Sequence, residues 1–396
     1  MILSKEYLSR NYIKLIVPIV IFLGMGYFNY VVNYSLGYKL IYKNHSHASG
    51  IILWILMGLL QLSLYIYWIL IFIIGPGKSP IFPPLNIYNE ENNENLISLP
   101  DLFFCDKQGF PYYCSNSNSI KLERSFYSKD IGYNVLKFDH YCIWIGHPIG
   151  QNNYLFFIKF TIYYLLIFII SLIYLAIYTK DSINQGEIDH NFIVLYIFCG
   201  FWILMIGGLL GVHLRYICLN LTTLDDITRN QRKRYSRWLE SQQNPKKSSM
   251  LNDKVEPRRE LGIRYVNIKH ENNSRVVITY YIDNINPFNM GIRNNWINLV
   301  FNGNRNHGLD NSYYTNIRFI YSILYLLIPF IDIPICFKNR HPFKEDIESG
   351  DIVDSNKLLE IYNTYSSKVN DEFYEMIKLK ISNGDFTTPV YLQHQK

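Results

Sequence analysis

Runs without charge organise this chain more strongly than any local periodicity. No Asp, Glu, Lys or Arg lies between Lys14 and Lys39, Lys43 and Lys78, Lys159 and Lys180, or Asp189 and Arg215. The cores of the first two gaps, Leu15–Tyr34 and Ile51–Ile74, and the whole of the last two are mostly apolar. Each supplies the ~20 residues that a helix needs to cross a hydrocarbon layer, which predicts four transmembrane helices. A fifth apolar run, Phe319–Ile331, contains Pro329 and sits between Arg318 and Asp332. It is too short to span and is expected to lie on or dip into the membrane surface. The segment 78–155 is polar and turn-rich, with Pro80, Pro83, Pro84, Gly109, Pro111, Gly132, Gly146 and Gly150, and reads as a compact, loop-built module.

The C-terminal half follows the same logic. Residues 241–260 read as a flexible linker. Tyr265–Lys269 and Val276–Ile282 have strand composition around Glu271-Asn272-Asn273-Ser274, predicting a small hairpin. The tail 355–382 is helix-compatible without further signal. The fold class expected is therefore an all-α integral membrane protein with these cytosolic additions. Its segments are 1–77 (first two helices), 78–155 (the loop-built module), 156–218 (helices three and four), 219–336 (C-terminal region with the hairpin and interfacial segment) and 337–396 (tail).

Composition agrees. The chain has 396 residues, 49% hydrophobic and 18% charged, with six cysteines, which excludes disorder, collagen and a disulfide scaffold. The net charge of +6 is unevenly placed. Lys5, Arg10 and Lys14 precede the first helix, while Lys78, Lys107, Lys121, Arg124, Lys129 and Lys137 lie between the second and third. Arg215, Arg229, Arg232, Lys233, Arg234 and Arg237 follow the fourth, and the other two loops hold only Lys39, Lys43 and Lys180. The positive-inside rule puts both termini and the 78–155 segment in the cytosol and both short loops on the far side. The sequon Asn44-His45-Ser46 lies there, close to the bilayer. The first apolar stretch is too long for a cleaved signal and is expected to remain as an anchor. The basic cluster 229–237 suits the membrane surface, and nucleic acid is not an expected partner.

The chemistry concentrates in Asp139-His140-Tyr141-Cys142. A thiolate is the nucleophilic form of cysteine, a nearby imidazole can take the thiol proton, and a carboxylate can orient the imidazole. In a reducing compartment a disulfide is not expected. The flanks are equally informative: Phe138-Asp-His-Tyr-Cys142-Ile-Trp144-Ile-Gly-His-Pro-Ile-Gly150-Gln-Asn-Asn153-Tyr154-Leu-Phe156-Phe157. This stretch resembles the core of the DHHC-type protein S-acyltransferases, the palmitoyltransferases, and in particular a fungal subgroup carrying DHYC. Three further matches occur in order: Gly75-Pro76-Gly77 for Asp-Pro-Gly, Thr222-Thr223-Leu224-Asp225 for Thr-Thr-x-Glu, and Asn286-Pro287-Phe288-Asn289-Met290-Gly291 with Asn295-Trp296. The resemblance covers residues 10–335 and leaves the tail uncovered.

The resemblance implies a protein S-palmitoyltransferase. Cys142 would take an acyl group from palmitoyl-CoA, the acyl-CoA co-substrate, and pass it to cysteine thiols of membrane-associated proteins. His140 matches the general base and Asp139 the residue that orients it. Thr222, Thr223, Asp225 and Asn295 would brace the loop without taking part in the chemistry. The lipid bilayer is the other expected partner.

The family folds this loop around two zinc ions, and here the sequence departs. The ligand positions hold Cys114, Ser117, Tyr127, Ser128, Ile131, Asn134, Tyr141 and Pro148, so one of eight survives. Structural zinc usually has four Cys or His ligands, so zinc and every other metal are not expected, although Cys105, Cys114 and His147 remain. A dense aromatic set (Phe103, Phe104, Phe110, Tyr112, Tyr113, Phe126, Tyr127, Tyr133, Phe138, Tyr141 and Trp144) is expected to pack the loop in place of metal.

The other chemistry-bearing residues have plain readings. Cys199 and Cys218 are packing residues or passive acylation sites, and Cys336 is a membrane-proximal thiol. Gly207 and Gly211 form a close-packing pair, and His213 is read as structural. The alternative function is a catalytically weak relative that scaffolds membrane proteins. A transporter fits less well, because the four helices carry almost no ionisable residues.

Overall fold

A computed structural model describes residues 5–88, 96–184, 189–243, 262–271, 274–301, 312–331 and 355–393. Cys336 and most of the 241–260 linker lie outside the described residues. The elements, in chain order, begin with α1 (Lys5–Tyr30), which continues as a π-helical run Val31–Tyr42, and α2 (His47–Ile74). Short strands follow: β1 (Leu102–Cys105), β2 (Tyr113–Cys114), β3 (Ser119–Ile120), β4 (Phe126–Ser128), β5 (Tyr133–Val135), β6 (His140–Cys142) and β7 (His147–Ile149). The helices α3 (Tyr154–Asn184), α4 (His190–Leu219) and α5 (Thr223–Gln243) come next. They lead to β8 (Ile263–Lys269), β9 (Arg275–Tyr281), α6 (Ile292–Phe301), α7 (Ser312–Leu327), α8 (Ser355–Tyr365) and α9 (Asp371–Ser382). The chain forms two compact units.

The first unit comprises Met1–Pro76, His140–Arg215 and Leu299–Pro334. Four of its helical stretches are long and apolar enough to cross a membrane: Ile16–Tyr42, His47–Ile74, Tyr154–Lys180 and His190–Leu219. Phe28, Leu36, Leu53, Met57, Ile167, Phe168, Leu195 and Cys199 form their shared core. The outward face is apolar as well, with Leu204 79% and Leu23 67% exposed. Helices that are apolar on every side belong in lipid or a large core, and this unit supplies no protein to cover them.

The first span departs from α geometry. Its π-helical run stacks Tyr30, Tyr34, Tyr38 and Tyr42 at successive centroid distances of 5.5, 5.9 and 6.2 Å. Gly37 in this run is a steric requirement: a Cβ there would lie 2.8 Å from Trp54 Nε1, the group that donates to the Asn33 carbonyl at 3.2 Å.

Lys159 revises the third apolar run. The sequence reading took this lysine as the run's lower limit, but α3 begins at Tyr154 and carries Lys159 inside it, fully buried. A buried ammonium needs hydrogen-bond acceptors. Lys159 Nζ donates to Tyr67 Oη and to the Ile328 carbonyl, both at 3.2 Å. Tyr67 Oη also accepts from the Phe330 backbone N–H at 2.9 Å, and Tyr163 Oη donates to the Leu327 carbonyl at 3.2 Å. The last carbonyls of a helix lack internal partners and favour a cation. Lysine and tyrosine from α2 and α3 thus fasten the end of the short apolar helix α7.

The second unit comprises Gly77–Asp139, Tyr216–Asn298 and Ile335–Lys396. It contains a three-stranded antiparallel sheet in the order β1-β8-β9, with Phe104 opposite Val266 and Val266 opposite Ile278. The all-α expectation therefore describes only the helical unit. Alternate residues of a strand face opposite ways, and each face has its own cover. Phe82, Leu85, Phe103, Cys105, Leu122, Leu136 and Val277 pack with Ile361, Tyr362 and Tyr365 of α8. On the other side Val266, Val276, Ile278 and Tyr280 pack with Phe373 and Ile377 of α9. The tail without a signal in the sequence is thus part of the core. The aromatic set packs this segment only in part, since Tyr112, Tyr113, Phe126 and Trp144 are each more than a third exposed.

Tyr67→Phe removes an acceptor from a buried ammonium and a half-buried amide together. Such a loss costs about 1–3 kcal/mol or more. The expected result is a lower thermal midpoint for the detergent-purified protein and faster proteolysis near α7. The double variant Tyr67→Phe/Lys159→Met should recover part of the loss, because the stranded charge is gone.

Candidate active site

Cys142 and His140 lie two residues apart on β6, which places them on one face of the strand. β6 pairs antiparallel with β7, with His140 opposite Ile149, Tyr141 opposite Pro148 and Cys142 opposite His147. The connecting turn closes through the Gly146 N–H, which donates to the Cys142 carbonyl at 2.8 Å. Gly146 has φ +83°, a conformation glycine adopts without steric cost. Tyr141 Oη donates to the Gly146 carbonyl at 3.1 Å, so the motif's unusual tyrosine braces the turn. Cys142 is 5% exposed and His140 is half-buried. The His140 ring meets Phe157 edge-on, 5.3 Å between centroids.

Asn153 fastens this hairpin to the helices. It is fully buried. Its Oδ1 accepts from the Gly150 N–H at 2.9 Å, and its Nδ2 donates to the carbonyls of Pro148 at 3.0 Å and Ile71 at 3.3 Å. One side chain thereby joins β7, the start of α3 and the last turn of α2.

Asp139 is held by the second unit. Its carboxylate is 2% exposed. Oδ1 accepts from the Thr223 backbone N–H at 2.9 Å and Oδ2 from Thr223 Oγ1 at 2.7 Å. Thr223 is the first residue of α5, where free N–H groups and the helix dipole favour an anion. The preceding Thr222 caps the helix: its Oγ1 accepts from the Asp225 N–H at 3.1 Å, and its own N–H donates to Asp225 Oδ2 at 2.9 Å. This reciprocal pair is a capping box with Asp in the usual Glu position. Asp225 Oδ2 also accepts from Arg124 Nη2 at 2.7 Å and Nε at 3.0 Å.

The Asn286–Trp296 stretch satisfies the end of α4. Asn286 Nδ2 donates to the Leu219 carbonyl at 2.7 Å and Asn295 Nδ2 to the Cys218 carbonyl at 2.8 Å. Asn295 Oδ1 accepts from the Met290 N–H at 3.1 Å. Asn220, in the left-handed conformation at φ +48°, accepts from Lys137 Nζ at 2.8 Å and Arg124 Nη1 at 3.2 Å, and donates to the Phe288 carbonyl at 2.6 Å. Burial pulls the Lys137 ammonium down to about 7; Arg124 adds to this, and Asp225 and Asp139 oppose it. Thr222, Thr223, Asp225 and Asn295, expected to brace the loop, make the helix-end bonds given above; Arg124, Lys137, Asn153 and Asn220 bond alongside without a signal in the sequence. Among these, Arg124 and Lys137 looked like ordinary loop cations.

Two of the positions compared with zinc ligands above are joined directly. Asn134 Nδ2 donates to Ser117 Oγ at 2.8 Å. Among the described residues, no group of three or more His, Cys, Asp or Glu gathers around Cys114. Cys114 is partly exposed. Burial pushes its thiol up, but hydrogen bonds from Ser117, Asn116 and Asn134 outweigh this and leave it below the ordinary value. Cys105 is buried, and burial pushes its thiol far up. His147 packs against Phe72 at 4.7 Å, and burial lowers its pKa.

Residues 107–230 match the family described as DHHC palmitoyltransferase. The chain is 59% identical over 392 residues to the palmitoyltransferase PFA5 of Candida albicans, covering 99% of this chain and 96% of that one. It is 31% identical over 241 residues to palmitoyltransferase PFA5 of Kluyveromyces lactis, covering 58% and 68%. The probable protein S-acyltransferase 13 of Arabidopsis thaliana is 28% identical over 224 residues, covering 53% and 73%.

Thr223→Val keeps the backbone bond to Asp139 and deletes the hydroxyl one. A bond to a charged group contributes about 1.5–3 kcal/mol. The thermal midpoint should fall accordingly, while Thr223→Ser, which keeps the hydroxyl, should lose less than half as much.

Proposed function

The chain belongs to the DHHC palmitoyltransferase family, and from that premise we propose that Cys142 is the residue through which it works. The protein is a protein S-palmitoyltransferase, an acyltransferase that moves a long-chain acyl group from acyl-CoA to protein cysteine thiols. The observation that carries the site assignment is the placement of a thiol and an imidazole on one face of β6, in a hairpin clasped by Asn153.

In the first half-reaction His140 takes the proton from Cys142 Sγ, and the thiolate attacks the carbonyl carbon of the acyl-CoA thioester. A new C–S bond to Cys142 forms, the C–S bond to CoA breaks, and the CoA thiolate leaves with the proton from His140. In the second half-reaction a substrate cysteine gives its proton to His140 and attacks the acyl-Cys142 thioester. The acyl group moves to the substrate, and Cys142 leaves as a thiolate that recovers the proton. Asp139, next to His140 in the chain, orients the base and stabilises its cation; Thr223 holds Asp139 ready with two donors. Thr222, Asp225 and Asn295 support this through the head of α5 and the end of α4. The catalytic module 78–155, both termini and the C-terminal region face the cytosol, where CoA and the substrate thiols are available. The tyrosine between His140 and Cys142 puts the chain in the DHYC subgroup.

The eight ligand positions do not suit two zinc ions. One holds cysteine, and the Ser117 and Asn134 positions are joined by a direct hydrogen bond. The module is held by its hairpins and by the hydrophobic contacts of α8 and α9.

Incubated with labelled palmitoyl-CoA, the purified wild-type protein should take up label that hydroxylamine releases, and Cys142→Ala should take up none. Equal labelling of the variant would sink the assignment of Cys142. Elemental analysis of the same preparation should find no stoichiometric zinc; two zinc ions per chain would overturn the metal-free reading.

A further inference from the structure

The surroundings of His140 in the helical unit include a second buried imidazole. His213, near the end of α4, is 3% exposed, and its Nδ1 lies 2.9 Å from Tyr154 Oη. The His213 and His140 ring centroids are 5.7 Å apart at 38°, and a nitrogen of one ring lies within 4.8 Å of a nitrogen of the other. Phe157, 2% exposed, stands edge-on to both imidazoles, 5.3 Å from His140 and 5.0 Å from His213. Tyr154 packs on Phe157 at 6.2 Å. Burying a polar ring costs free energy unless it is hydrogen-bonded, and in the stretch Gly207–Leu214 every other side chain is apolar or absent. Simple packing would be served more cheaply there by leucine or phenylalanine.

We propose that His213, held by Tyr154, is a positioning residue for the base: it fixes the His140 ring and stabilises the imidazolium formed when Cys142 gives up its proton. This rests on the Cys142–His140 chemistry proposed above. Two imidazoles this close do not both carry charge at low cost, so the pair carries at most one positive charge. Tyr154 Oη, 2.9 Å from His213 Nδ1, fixes the His213 ring, and in its neutral form that ring faces the cation on His140. A hydrogen bond at one ring nitrogen fixes which role the other can play. Titratable groups near His140 include Asp139 and Cys142 on its own segment and His213 on α4, the last bonded to Tyr154 of α3. Arg215 follows two residues beyond His213, and Lys159 of α3 is engaged by Tyr67 and the Ile328 carbonyl.

The test is the pH dependence of autoacylation by palmitoyl-CoA in the full-length, detergent-purified protein. His213→Phe should lower kcat ~10-fold or more, as expected when a base loses its support, with the acyl-CoA KM little changed. It should also move the acid limb of the profile to lower pH, because His140 becomes less basic. His213→Gln, which keeps a neutral hydrogen-bonding group at this position, should recover part of both effects. Tyr154→Phe, a loss of one oxygen, should move the limb the same way by less. An unmoved limb in His213→Phe overturns the proposal, as does an unmoved limb in Tyr154→Phe and His213→Gln together should His213→Phe not fold. A wild-type protein that takes up no label would instead overturn the role of Cys142, which keeps the two failures apart.

Discussion

A carboxylate removed from water has to be supplied with donors, and the buried Asp139 obtains two of them from Thr223 at the head of α5. Its two bonds from Thr223 are possible only if that helix starts where it does. The start is fixed by the reciprocal Thr222–Asp225 cap and by Arg124, which holds Asp225 from the loop. Asparagines 286 and 295 then close the end of α4, three residues upstream of the cap. Three sequence motifs far apart in the chain are therefore one set of satisfied helix termini. This gives them a physical reason that does not require any of them to touch a substrate.

The small hairpins of the 78–155 segment distribute the work of holding its shape. Each small hairpin contributes two or three backbone pairs, too little for independent stability. The three-stranded sheet and the tail helices supply the rest by burying Phe82, Phe103 and Tyr362 on one side and Phe373 on the other. In the helical unit the corresponding devices are polar and few: Asn153 at the hairpin and Lys159 with Tyr67 at the end of α7.

The sequence disclosed those features that a solvent or a motif imposes. Four charge gaps gave four long apolar helices, because no local rearrangement can hide a charge in hydrocarbon. The Asp139–Cys142 tetrapeptide and its flanks pointed to the palmitoyltransferase family, because a motif is legible without its fold. What stayed hidden depended on long-range pairing. Lys159 looked like a boundary because its acceptors come from residues 67 and 328. The strand Leu102–Cys105 is too short to announce itself and exists by pairing with residues 265–268. Helix α9 carries an ordinary amphipathic pattern whose partner face lies about a hundred residues upstream, and most partners of α8 lie more than two hundred upstream. The aromatic set misled because residue type predicts the capacity to pack and does not say which rings are turned inward.

The contrast between Cys142 and Cys114 bears on how the protein meets small electrophiles. Cys142 is nearly closed to water, while Cys114 is partly open and its thiol is lowered by Ser117, Asn116 and Asn134. Water-soluble alkylating fragments will therefore find Cys114 before Cys142. A covalent screen scored by adduct mass alone would rank compounds on a thiol outside the acyl-transfer motif. Selectivity for the motif has to come from a slim, lipophilic carrier that enters as an acyl chain does, and Cys114→Ser is the background in which to look for it.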